Sequence, residues 1–143
     1  MPKRPAAVLK VPCYPMVVDR HALVVKPRLA FWDWVNEHNQ YGLAVRPKGN
    51  EGKVYLIPDK DVWRWLDKHW LRVMEDEMAT WCRNLDVWPE RTRAQFEAWF
   101  TVEDHLVVYD TGAKGLRKEH YPPRVVGPST VEHKPVRPVI DVP

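Results

Sequence analysis

Hydrophobic positions along the chain change their period wherever proline, glycine or asparagine intervenes, and each change marks an element. His21-Ala-Leu-Val-Val-Lys26 is a short β-branched apolar run that reads as a strand, and Pro27 follows where a first helical turn tolerates proline. From Leu29 to His38, the residues Phe31, Trp34, Val35 and His38 recur at helical spacing, with Asp33 and Glu37 on the far side. Residues 39–52 supply loop residues, and Lys53-Val-Tyr-Leu-Ile57 predicts a second strand stopped by Pro58. Asp59 stands where it can cap the next helix, which runs to about Cys82 with a stripe of Val62, Trp63, Leu66, Trp70, Val73, Met74 and Trp81. The pattern breaks over residues 84–90 at Pro89, a shorter helix carries Phe96, Trp99 and Phe100, and residues 102–110 alternate like a third strand. The predicted fold is α/β of the α+β kind. A small three-stranded sheet with helices packed on one face is the simplest architecture that buries these stripes.

Composition divides the chain along the same lines. All eight tryptophans fall between Trp32 and Trp99, while ten of the fourteen prolines lie in residues 1–19 and 111–143. Closely spaced prolines remove backbone donors and block helix and central strand alike, so both tails are expected to be extended and to lack packed secondary structure of their own. Charge follows these boundaries. Residues 1–19 are net +2, residues 20–110 carry 13 basic against 15 acidic side chains and are net −2, and residues 111–143 are net +3. Three parts are predicted: a proline-rich basic N-terminal arm (1–19), a tryptophan-rich α/β domain (20–110) and a proline-rich basic C-terminal arm (111–143). Two cysteines, Cys13 and Cys82, offer neither a disulfide framework nor a zinc spacing, which makes the reducing cytoplasm the expected compartment. No apolar run suggests a signal peptide or a membrane span, and no membrane partner is expected.

Candidate chemistry is sparse. Glu77 sits near the angular centre of the long helix's stripe, in register with Leu66, Trp70 and Val73, where a charge is costly unless it is paired, protonated or working. If it works, it is a carboxyl of raised pKa acting as general acid or base, with His105 on the third strand as partner; the alternative is that the core has thinned and Glu77 reaches solvent or an arginine. The six histidines show no metal-ligand spacing. His21 and His105 with Glu77 or Cys82 can be drawn together, but neither metal nor cofactor is expected. Gly49-Asn-Glu-Gly52 lacks the spacing and context of a phosphate loop and reads as a turn, and the single serine, Ser129, sets up no nucleophile. Trp65 and Trp32 are displaced from the main stripes, as either interface anchors or members of a wide face buried on two sides. The C-terminal arm spaces Lys114, Arg117, Lys118, Arg124, Lys134 and Arg137 among Tyr121 and valines, a pattern suited to nucleic-acid phosphate or an acidic protein groove.

Within residues 20–110, Val54-Tyr-Leu-Ile-Pro58, Met78-Ala-Thr-Trp81, Leu85-Asp-Val-Trp-Pro89, Trp99-Phe-Thr-Val-Glu-Asp-His105 and Val108-Tyr-Asp110 resemble a family of short uncharacterised bacterial cytosolic proteins. That resemblance implies a small α/β body but no activity, and it assigns no catalytic residue. The proline-rich arms depart from it. The function expected is that of a non-enzymatic binding or assembly protein, a subunit or accessory factor of a protein or ribonucleoprotein complex. Its partner-binding residues are expected to be Trp32, Trp65, Arg117, Lys118, Arg124 and Arg137, with direct nucleic-acid contact through the basic tails. The alternative is a small enzyme centred on Glu77 and His105. A free nucleic-acid binder fits less well, because the folded body is net acidic.

Overall fold

A computed structural model of the chain describes residues 2–4, 10, 13, 16–58, 60–128 and 137–141, the last of these without their side chains. The elements run β1 (Val17–Val18), β2 (His21–Pro27), α1 (Leu29–His38), β3 (Leu43–Arg46), β4 (Lys53–Ile57), α2 (Val62–Trp81), a 3-10 turn (Leu85–Val87), α3 (Arg93–Trp99), β5 (Phe100–His105), β6 (Val108–Tyr109) and β7 (Arg137–Asp141). The central sheet has the order β4-β2-β5 and is wholly antiparallel, with Leu23 opposite both Tyr55 and Asp104. Two small ladders accompany it, β1 with β6 antiparallel and β3 with β7 parallel. No helix among the described residues is long and apolar enough to cross a membrane.

Strand parity decides what faces the helices. Leu23 and Val25 of β2, Ile57 of β4 and Phe100 of β5 are buried on one face, while Val54, Leu56, Thr101, Glu103 and His105 are exposed on the other. Onto the buried face pack Phe31, Trp34 and Val35 of α1, Leu66, Val73, Met74 and Met78 of α2, and Phe96 and Trp99 of α3. The aromatic centre is Phe31, with ring centroids 4.9 Å from Phe100, 5.4 Å from Trp99 and 5.9 Å from Trp34. The expected sheet with helices on one face is therefore the observed one.

Helix ends have identifiable causes. Asp61 caps α2 by accepting from the Arg64 backbone N–H, and Thr92 caps α3 by accepting from Gln95 N–H. Asp59, expected in the capping role, lies outside the described residues, and the cap is supplied two positions later. α1 has no side-chain cap; the Arg28 N–H at its start instead donates to the Trp99 carbonyl at 2.7 Å, joining the start of α1 to the end of α3.

Residues 39–52 are not all loop. Asn36 of α1 donates from Nδ2 to the Val45 carbonyl and accepts the Val45 N–H at Oδ1, so one side-chain amide pairs with β3 as a neighbouring strand would. Asn39 likewise donates to the Leu43 carbonyl at 2.7 Å and accepts the Tyr41 N–H. Gly49 has φ 92°, and the Glu51 carboxylate accepts from the Lys48 and Gly49 amides, which closes the expected turn and occupies the donors a phosphate loop would use. Gly52 is required for close packing, since a Cβ there would meet the Val25 carbonyl oxygen at 2.9 Å.

Several described positions of the tails pair with residues of the body. Val17 and Val18 pair with β6, Gly127 bridges Asn84, and β7 pairs with β3. Pro138 lies within β7, and a strand of a two-stranded ladder keeps one edge on which no ladder donor is needed. The register also shifts between Leu43 and Val45 of its partner.

Candidate functional site

A group of buried and half-buried polar side chains lies where the second half of α2 crosses β4. Glu77 follows Leu66, Trp70 and Val73 around the helix at buried positions, and only 1% of it is exposed. Parity places Lys53 and Tyr55 on the same face of β4 as Ile57, so both point under α2. Lys53 Nζ donates to Asp76 Oδ2 at 2.7 Å and to Thr80 Oγ1 at 3.2 Å, and stands 3.5 Å from Glu77 Oε1. That last separation is an ion-pair distance, too long for a good hydrogen bond, and Glu77 Oε1 has no hydrogen-bond partner among the described residues. Arg124 from the C-terminal arm takes the other oxygen of Asp76, Nη1 to Oδ1 at 2.6 Å.

Burial dominates the electrostatics. Loss of water pushes the Glu77 carboxyl from 4.5 up to about 7; Lys53 and Arg124 pull it down while the Asp76 charge adds to the rise. The Tyr55 hydroxyl, also without a hydrogen-bond partner among the described residues, is pushed up by burial and then by the Glu77 and Asp76 charges. Glu77 can hold or release a proton near neutrality. Sealed beneath the helix, it feels the charges of Lys53, Asp76 and Arg124 around it.

His105 is not its partner. Residues 100, 102 and 104 face the core, so His105 projects from the opposite face of the sheet, where its Nε2 lies 3.2 Å from Glu103 Oε2. The expected catalytic pair is thereby separated. The drawn combination of His21, His105 and Glu77 or Cys82 is not brought together either, and no group of three potential metal ligands occurs among the described residues. His21 instead faces Asp104 across the inner side of the sheet, Nδ1 to Oδ1 at 3.9 Å. Strand parity in β2 and β5 would have revealed that pair, and parity in β4 would have revealed Lys53 and Tyr55.

The expected partner-binding residues separate similarly. Trp32 is buried, 4% exposed, with its ring edge-on to Phe31 at 5.5 Å and to Trp81 at 5.3 Å, because α1 is covered on two sides. It is a core residue and not a surface anchor. Trp65 is half-buried and stacks on His69 at 4.2 Å. The tryptophan that α2 does expose is Trp63, 52% exposed, although the stripe had placed it inside. Arg117 and Lys118 are exposed, Arg124 is committed to Asp76, and the side chain of Arg137 lies outside the described residues.

The arm itself forms an anchored span. Every residue from 111 to 125 is exposed, including Leu116 at 63% and Tyr121 at 76%. At one end Asp110 N–H donates to the Met16 carbonyl at 3.1 Å. At the other, Gly127 N–H donates to the Arg83 carbonyl at 3.0 Å, and Leu85 N–H donates to the Gly127 carbonyl at 2.8 Å. No family model, curated protein or solved structure matches the chain.

Proposed function

We propose that this chain, a bacterial protein of the family its body resembles, is a non-enzymatic binding and assembly protein of the cytoplasm. In this reading it is a subunit or accessory factor of a larger protein or ribonucleoprotein complex and docks through its basic C-terminal arm. The supporting observation is the span 111–125, held at one end by the Asp110–Met16 hydrogen bond and at the other by Gly127 on Arg83 and Leu85 of the body, and exposed along its whole length. Such a segment contributes little to the body's core. Because its ends are held, it loses less conformational freedom on binding than a free tail. Lys114, Arg117 and Lys118 supply charge, and Leu116 and Tyr121 supply apolar area between them.

The test is quantitative capture of the partner complex by the full chain and by a Lys114→Ala, Arg117→Ala, Lys118→Ala variant at two salt concentrations. Loss of capture in the variant, with the wild-type chain weakening as salt rises, supports arm docking. Equal capture by both proteins at both salts removes it.

A further inference from the structure

We infer that the exposed face of α2 is a docking surface for single-stranded nucleic acid, a reading that stands on residues separate from the arm. Arg64, Lys68 and Arg72 are exposed and follow one another at four-residue intervals, so they form one ridge with a rise of about 6 Å per step. Lys60, exposed just ahead of the Asp61 cap, continues the ridge toward the helix start.

The acids nearby are largely engaged. Asp61 caps Arg64 N–H, Asp67 lies 3.1 Å from Arg93, and Asp76 is held by Lys53 and Arg124. Glu75, half-buried one turn beyond Arg72, borders the ridge. Among the described residues Lys60, Lys68 and Arg72 form no ion pair.

One further observation favours nucleic acid over an acidic protein. At about 100° per residue, the exposed arc of α2 has aromatic rings at both margins: Trp63, 52% exposed, on one side, and the Trp65–His69 stack, 4.2 Å between centroids and 13° between planes, on the other. A row of cations edged by rings offers contacts to phosphates and to base faces together, the combination by which single strands are held without sequence preference.

The experiment is fluorescence anisotropy of a labelled oligothymidylate of about twenty nucleotides titrated with the full chain over a salt series. The wild type should bind with a salt-dependent constant. Lys68→Glu with Arg72→Glu should weaken binding at least tenfold and flatten the log–log salt slope by about 1.4, at roughly 0.7 per phosphate contact on a single strand. Trp63→Ala should weaken binding about tenfold with the slope unchanged. These positions are exposed, and circular dichroism of each variant checks its fold. No binding by the wild type at low salt, a charge variant that binds as tightly as the wild type, or displacement by polyglutamate at lower concentration than by unlabelled oligonucleotide overturns the inference. The arm variant is run in parallel. If it loses the oligonucleotide while the α2 variant keeps it, the arm carries the contact and the α2 surface does not.

Discussion

Replacing Glu77 by glutamine should raise stability relative to the wild type as pH rises toward neutrality and remove a pH dependence that the wild type displays. The folded carboxyl titrates at about 7, against an ordinary 4.5 for the unfolded chain. Between those values the native state holds a proton that the unfolded state has released, so stability falls as pH rises through the window and levels off above about 7. The gap corresponds to about 3 kcal/mol at roughly 1.4 kcal/mol per tenfold change in affinity. Glutamine keeps the shape and carries no charge at any pH. Its amide also faces Lys53 and Tyr55, an unfavourable contact whose size does not vary across the window, so the informative quantity is the slope of the difference and not its value at one pH. Urea unfolding followed by tryptophan fluorescence at pH 4.5, 5.5, 6.5 and 8 measures it. The stability of the glutamine variant relative to the wild type should rise by about 3 kcal/mol across that series. A flat difference would mean that Glu77 is hydrated, and a falling one that Lys53 and Arg124 outweigh burial; either refutes the account.

Two other outcomes follow from the architecture. Truncation after Asp110 should cost about 1–3 kcal/mol in urea unfolding, since it deletes the two Gly127 hydrogen bonds, the Arg124–Asp76 ion pair and the β7 ladder, each a small term; an unchanged midpoint would show that the arm does not rest on the body. Asn36→Ala should cost about 1–3 kcal/mol and speed amide exchange at Val45 selectively, because it removes both side-chain bonds that pair α1 with β3.

The elements that were legible from sequence are those whose signal is local. β2, α1, β4, α2, α3 and β5 each show their own period, and a sheet covered on one face follows from them. β3 escaped because its pairing comes from Asn36, Asn39 and a strand more than ninety residues later, none of which alters the hydropathy of residues 43–46. Trp32 and Trp63 exchanged roles for a related reason: a period gives the angle between residues on one helix, but the width of the buried face depends on neighbours, and α1 is covered by Trp81 on the side where Trp32 points. The site was half legible. Glu77 at the centre of a stripe points to a buried carboxyl, whereas residue type alone does not identify its partner. Counting alternate positions from Phe100 places His105 outside, and counting from Ile57 places Tyr55 and Lys53 inside.

The charge order of α2 connects the body to both of its surfaces. Its acidic end is neutralised internally, with one Asp76 oxygen on Lys53 and the other on Arg124. Were Arg124 absent, that charge would stand one turn from Arg72, about 6 Å along the axis and inside the roughly 8 Å screening length of physiological salt. Lys68 and Arg64 stand about 12 and 18 Å from Asp76, where exposed charges are largely screened. Anchoring the arm therefore shields one end of the cationic ridge and leaves the rest of it untouched. Ionisation of Glu77 acts at the same place, since its charge is felt by Lys53 and Arg124 alike. As pH rises through 7, both cations are drawn more strongly toward the helix. Native Glu77 ionises around pH 7, at the upper end of the window from 4.5 to about 7 in which the fold loses stability, so the arm's anchor tightens as that loss levels off.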